Sequence, residues 1–245
     1  MNRSAEQLTI LLIQIRDDLN TRIEELASFS HFCGVPAAQF RVLNVFEQAH
    51  FDERVLLDVD AVLVGGSSEA SVLQPQRYPF VSAIQGLLLA CIERQLPTFC
   101  SCFGFQLSVL ALGGEIHHQS QGFEMGTLAL HLHRAAAKDP LFKELPDPFL
   151  AVSVHRDSAL CLPDCCQVLA YSEQCLHAFK HKLAPFWATQ FHPEVNRSIL
   201  VERLSQFKHQ YTQGEQHLQQ VLSRVQETPE SNALLASFIQ RVVLA

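Results

Sequence analysis

Positive charge is scarce in this sequence: 18 Lys and Arg stand against 25 Asp and Glu, a net charge of −7 over 245 residues. Nucleic-acid binding depends on basic side chains that neutralise phosphates, so no nucleic acid is expected as a partner. Long apolar runs are also missing. The opening stretch MNRSAEQLTILLIQI starts polar, its apolar part is too short for a transmembrane helix, and no small-residue cleavage site follows. No membrane partner is expected, and the location is expected to be cytoplasmic. The chain also has no phosphate-cradling glycine loop, no internal repeat and no disordered block.

What is present is a core. With 48% apolar residues, the chain is long enough for one sizeable α/β domain with an appendage. Its eight cysteines are read as reduced thiols, because a cytosolic chain of this length needs no disulfide framework.

Leu8–Ile15 (LTILLIQI) is a near-continuous apolar run of strand length, which suits a parallel strand covered on both faces. Asn20–Cys33 has helical spacing, with Gly34 placed to end it. Strands are predicted at Phe40–Val45, Ala61–Val64 and Pro97–Cys100, with an apolar helix from Pro79 to Arg94 between the last two. Such alternation predicts a parallel sheet wrapped by helices. Thr127–Leu132, Leu150–Val154, Gln167–Tyr171, Ala178–Lys182 and Phe186–Phe191 are short and turn-bounded, which predicts a mixed sheet or a small second, antiparallel sheet. After Asn196 the sequence becomes Gln-rich and helix-favouring, breaks at Thr228–Pro229, and ends in an apolar helix through Leu234–Val243. Two regions follow: a main domain over 1–197 and a C-terminal helical extension over 198–245.

The densest chemical signal is PTFCSCFGFQLSVLALGG, a short apolar strand running through Ser101-Cys102-Phe103-Gly104 into a helix. A nucleophile on such a turn is exposed and strained. The next backbone N–H is free for an oxyanion, and the helix N-terminus favours a thiolate. Cys102 has these advantages and Cys100 does not. Gly104 is needed because a side chain there would crowd the neighbouring strand. On the local pattern alone, a buried structural cysteine remains the alternative.

In WATQFHPEV, extended backbone would turn positions i and i+2 to one side, and Pro193 biases His192 toward that conformation. His192 and Glu194 would then face one site. Attack of a cysteine on an amide needs a base for the thiol and an acid for the leaving ammonia, and a histidine steadied by a carboxylate supplies both. Taken alone, the tripeptide reads more readily as a solvated strand end. Val64-Gly65-Gly66-Ser67 directly follows a predicted strand, and its N–H groups could meet a negative oxygen, a contact typically worth about 2.7–4 kcal/mol per donor. A plain tight turn is the other reading.

In this order, GGS, SCFGFQ and FHPE resemble the motifs of the class I, triad-type glutamine amidotransferases, most closely their GMP-synthase-like stand-alone members, over about Leu8 to Arg197. The resemblance implies a flavodoxin-like open, mostly parallel sheet with helices on both faces, and a γ-glutamyl thioester on Cys102. It implies His192 as acid/base, Glu194 as its orienting partner, an oxyanion site at Gly65, Gly66 and Phe103, and Gln106 as a glutamine contact. Two departures are visible: Cys100 stands where the family often has Gly, and Ser67 where many members have Pro.

Cys100 reads as a core residue more readily than as a redox partner of Cys102, since a Cys-x-Cys pair on a strand is awkward for a disulfide. His155-Arg156-Asp157-Ser158 is either a substrate or acceptor contact or a polar turn. Cys161, Cys165 and Cys166 lack a second ligand pair, and His117-His118 and His131-x-His133 lack further ligands, so no metal is expected. Thioester chemistry requires no cofactor. The expected small-molecule partner is glutamine or another γ-glutamyl compound. With no synthetase motif present, the chain is read either as a subunit that passes ammonia to a synthetase or other acceptor protein, or as a free-standing γ-glutamyl hydrolase or peptidase. A non-catalytic regulatory role, and a homodimer through the C-terminal helices, are the remaining alternatives.

Overall fold

Strand β1 (Ile10–Gln14) is buried at every position, the condition of a strand with helices over both faces. The computed structural model describes residues 5–119, 123–206 and 215–245. In it β1 pairs in parallel with β2 (Phe40–Asn44) on one side and β3 (Ala61–Val64) on the other. Next to β3 come β4 (Thr98–Ser101) and then β11 (Phe186–Thr189), both parallel. Beyond β11 the sheet continues antiparallel through β10 (Leu176–His181), β9 (Cys166–Tyr171), β6 (Glu124–Leu132) and β7 (Phe149–His155). The order is β2-β1-β3-β4-β11-β10-β9-β6-β7, and β5 (His117–His118) and β8 (Asp157–Ser158) form a separate two-stranded ribbon. The short turn-bounded segments therefore extend the main sheet, and the small second sheet forms as well.

Alternation along β1 divides the core. Leu11 and Ile13 point into a cluster with Ile84, Leu88 and Phe105, which come from helices α2 (Phe80–Glu93) and α3 (Phe103–Ala111). Ile10 and Leu12 point the other way, toward Phe29, Leu235 and Phe238, from α1 (Leu19–Cys33) and the C-terminal helix. Helix α1 begins where the Asp18 side chain accepts from the Thr21 N–H and ends at Gly34, whose φ of 66° is the left-handed conformation glycine adopts without strain.

The C-terminal helices are α4 (Arg197–Gln206), α5 (Glu215–Leu222) and α6 (Pro229–Phe238), the last running into a π-helical turn over Ile239–Val243. They pack on the sheet. The Phe238 ring lies edge-on to Phe99 and Trp187, with centroids 5.6 and 6.1 Å away, and Leu200, Leu204 and Leu218 cover Val152 of β7. Burial of a side chain such as Phe238 stabilises by roughly 1.5–3 kcal/mol. Among the described residues, no helix is long and apolar enough to cross a membrane.

Candidate active site

Cys102 sits between the end of β4 and the start of α3 with φ 50° and ψ −99°, a backbone conformation that costs a non-glycine residue on the order of 1–3 kcal/mol. Its surroundings hold it there. The Cys102 N–H donates to the Thr189 carbonyl at 2.7 Å, and its own carbonyl accepts from the Gln106 N–H at 3.1 Å. Close packing of α3 on β3 depends on Gly104, where an added Cβ would lie 2.9 Å from the Val64 carbonyl oxygen and 3.0 Å from its Cβ. Cys100, two residues back within β4, is wholly buried in the apolar core, and that burial pushes its thiol well above the ordinary range.

The sequence FHPE follows β11. That strand stops at Thr189, and a turn over Pro193 and Glu194, closed by the Val195 N–H on the His192 carbonyl at 3.2 Å, carries the pair in place of a continuous strand. The turn still brings the side chains together: His192 Nδ1 lies 2.7 Å from Glu194 Oε1. Both groups are buried. Burial opposes the charged ring, but the Cys102 sulfur and then the Glu194 carboxylate outweigh it and raise the His192 pKa to about 9. Burial likewise opposes the Glu194 anion, and the His192 charge overcomes it, so that carboxyl titrates below its usual range. With Nδ1 engaged by Glu194, Nε2 is the ring nitrogen left for Cys102.

Gly66 lies against both catalytic candidates: a Cβ there would come within 2.8 Å of His192 Cε1 and 3.5 Å of Cys102 Cβ. Its N–H has no backbone acceptor among the described residues, and Phe103, in the first turn of α3, has no carbonyl within its helix to bond. Gly65 differs from expectation. Its N–H donates to the Ile13 carbonyl at 3.1 Å as the sheet ladder ends, so it is not available to an oxyanion. Its place is set by space, because a Cβ would meet Glu25 Oε1 at 2.8 Å.

A cleft of about 140 Å³ opens beside the thiol, lined among others by Cys102, Phe103, Gln106, His155, Arg156 and Asp157. The segment His155–Ser158 thus contributes to the cleft wall. Gln106 Nε2 donates to the Asp157 carbonyl at 2.8 Å, which ties α3 to that wall. His118 Nδ1 lies 2.7 Å from Asp157 Oδ1.

Several neighbours of the site carry no motif. Arg16 Nε donates to Glu25 Oε1 at 2.8 Å in a buried ion pair, and Arg16 Nη1 to Ser68 Oγ at 2.9 Å. Burial raises the Glu25 pKa although Arg16 opposes it. Gln190 Nε2 lies 3.7 Å from Cys102 Sγ. Asn232 of α6 donates through Nδ2 to the carbonyls of Pro193 at 2.8 Å and Val195 at 3.0 Å, clamping the turn that carries the histidine and glutamate. The available signal was a polar residue among core-facing positions: Arg16 at the end of a buried strand, Glu25 one helical turn before Phe29, and Asn232 ahead of Leu234 and Leu235.

Comparison with known proteins agrees with this geometry. A subunit of glutamine-hydrolyzing GMP synthase from Methanococcus vannielii is 35% identical over 108 residues, which is 44% of this chain and 55% of that protein. The corresponding protein of Methanocaldococcus jannaschii is 31% identical over 118 residues, 48% of this chain and 61% of that protein. The chain therefore spans a little over half the length of the curated relatives it matches. Among solved structures, a glutamine amidotransferase from Thermotoga maritima superposes with a TM-score of 0.78 at 20% identity, covering 98% of this chain and all of that one. One from Methylobacillus flagellatus superposes with a TM-score of 0.70 at 15% identity, covering 98% and 96%. These two likenesses carry the fold. The family model for class-I glutamine amidotransferases matches residues 39–207, which include Gly66, Cys102, His192 and Glu194, and the chain belongs to that family.

Proposed function

We propose that this chain hydrolyses the side-chain amide of glutamine to glutamate and ammonia through a γ-glutamyl thioester on Cys102. The observation that carries the reading is the buried His192–Glu194 pair at 2.7 Å beside a cysteine held in a strained turn. In the first step the Cys102 sulfur attacks the side-chain carbonyl carbon of glutamine. The N–H groups of Gly66 and Phe103 receive the oxygen as it becomes negative. The His192 imidazolium, which its surroundings maintain at neutral pH, gives its proton to the departing nitrogen, and ammonia leaves. Water then attacks the thioester, His192 takes a proton from it, and collapse of the second tetrahedral intermediate returns glutamate and the Cys102 sulfur. Glu194 holds the ring so that Nε2 faces the reacting atoms.

The cleft suits the substrate class. Arg156, whose guanidinium lies 4.6 Å from the centre of the Phe123 ring, stands in its wall and offers positive charge to the α-carboxylate of a γ-glutamyl group. The ammonia goes to a separate synthetase protein as acceptor, in keeping with relatives named as one subunit of a glutamine-hydrolyzing synthase.

Reaction with a chloroketone analogue of glutamine tests this reading without any partner. The thiolate displaces chloride and forms a stable thioether that peptide mass spectrometry locates. Modification at Cys102, faster than at the exposed Cys161 and slowed by glutamine, is the expected result. Equal labelling of Cys102 and Cys161, indifferent to glutamine, would contradict it.

A further inference from the structure

Behind the cleft wall the sheet holds a second group of reactive side chains that the proposed hydrolysis does not use. Strands β6 and β9 pair only at His131 with Tyr171 and Leu132 with Ala170. At the other end of β6, Glu124 faces His155 across the β6–β7 ladder. Cys175, just before β10, and His177, within it, are two residues apart and meet the same spot. All four residues are buried, and their donor atoms lie within 4.8 Å of one another.

The distances have a pattern. Glu124 Oε2 is 2.9 Å from His177 Nε2, 3.1 Å from His155 Nε2 and 3.4 Å from Cys175 Sγ. Cys175 Sγ is 3.5 Å from His177 Nε2. Zinc bond lengths to nitrogen, oxygen and sulfur in a tetrahedron place neighbouring ligand atoms about 3.3–3.6 Å apart. The two sulfur distances already match, the two shorter ones need to open by a few tenths of an ångström, and the separations of His155 Nε2 from Cys175 and His177, within 4.8 Å, close as the ring turns onto the cation. His155 Nε2 is buried and points into the group without the alignment of a hydrogen bond to any partner. The Glu124 oxygen at 3.1 Å, which His177 also engages, is a poorly directed partner for that nitrogen, whereas a cation at the centre of the four atoms gives it a well-directed bond.

We propose that Glu124, His155, Cys175 and His177 form a buried, four-ligand site for a zinc-class divalent cation. The donor set supports that class: imidazole and thiolate favour zinc or cobalt over magnesium or calcium, which prefer oxygen. Charge supports it as well. On binding, the Cys175 thiol releases its proton to solvent, and one thiolate, one carboxylate and two neutral imidazoles then balance a divalent cation, so no net charge is buried. All four positions are filled by protein, the mark of a structural and not a catalytic site. Its effect is on the wall: it fixes the end of β7 against β6 and β10 immediately before Arg156 and Asp157, which line the cleft. The four ligands come from three separated stretches of chain, so no short spacing in the sequence announces them.

The test is metal analysis of the full chain carrying Cys102→Ala, so that the catalytic thiol cannot compete for metal. The protein is equilibrated with zinc, passed through a sizing column and measured by mass spectrometry for metals, and in parallel with cobalt(II) and measured by absorption. The expected results are one zinc per chain, a thiolate-to-cobalt charge-transfer band, and intense visible bands of tetrahedral cobalt. Cys175→Ser abolishes the charge-transfer band, and Cys161→Ser leaves it. His177→Gln is the decisive variant, because its amide can keep a hydrogen bond to Glu124: it is expected to melt cooperatively, to hold no stoichiometric zinc and to lose the rise in Tm that zinc gives the parent. A parent chain that retains no zinc, a cobalt spectrum without thiolate charge transfer, or a full equivalent of zinc in His177→Gln would overturn the site.

Discussion

The imidazole of His192 ties the chemistry to pH. Its pKa in the fold, about 9, lies above the unfolded value of about 6.5. Its charged form therefore stabilises the fold fully below about pH 6.5, and that contribution is lost as pH rises through about 9. In the proposed mechanism the same proton serves the leaving group, so kcat/KM for glutamine is expected to fall on the alkaline side near pH 9. Glu194→Gln removes one of the charges that hold the proton, so the alkaline limb should move to lower pH while kcat drops by about 10²–10⁴-fold; a pH–rate profile of the variant measures both. Cys102→Ala removes the other, and an NMR titration of the ring should show His192 losing its proton at lower pH in that variant. At this scale the sequence was most legible where chemistry restricts residue types to a short segment, as at Cys102 and at His192 with Glu194. It was least legible where the site is completed from afar. Gln190 and Arg16 reach the site by folding alone, and nothing in the GGS motif shows that one of its glycines spends its N–H on the sheet.

Helix α3 and strand β3 touch where Gly104 meets Val64, with no room for a methyl group. Gly104→Ala is expected to lower stability by about 1–3 kcal/mol through overpacking and to turn Cys102 away from His192. Thermal melts give the first effect, and kcat in the surviving folded protein the second. Helix α6 holds the other half of the site through Asn232. Asn232→Ala leaves the carbonyls of Pro193 and Val195 without their donor, a loss of about 1–3 kcal/mol. Its kcat should fall more than its KM rises, because the turn it releases carries His192, the proposed acid and base, and not the cleft wall. Elements with strong periodicity were read from sequence almost to their ends: β1, α1, β3 and α2 all lie within a residue or two of expectation. The turn after His192 was not, because the bias of Pro193 on the residue before it carries no sign of the Asn232 clamp and the Val195 N–H that close the chain beyond it.

For the molecule as a whole, the sheet has two characters. The parallel strands carry Cys102 and the proposed oxyanion donors at their carboxyl ends, where ligands bind in open α/β sheets. The antiparallel strands form the cleft wall and the buried Glu124–His155–Cys175–His177 cluster. The C-terminal helices bind these parts together, through Phe238 on Phe99 and Trp187 of the parallel strands and through Leu200, Leu204 and Leu218 on Val152 of β7. Removal of residues 229–245 would expose the faces that Leu234, Leu235 and Phe238 cover and delete the Asn232 clamp, so the truncated chain is expected to aggregate or melt well below the full chain. The parallel half followed from alternating strands and helices. The antiparallel half could be anticipated as strands but not in order, because β6 and β9 pair across a long separation in sequence that no local pattern encodes. The central claim, glutamine hydrolysis at Cys102, is tested most directly by release of glutamate and ammonia from glutamine, measured for the purified chain and for Cys102→Ala under identical conditions. Equimolar glutamate and ammonia from the parent, and a loss on the order of 10³-fold or more in the variant, are predicted. Release that survives the substitution unchanged, or ammonia without glutamate, would contradict it.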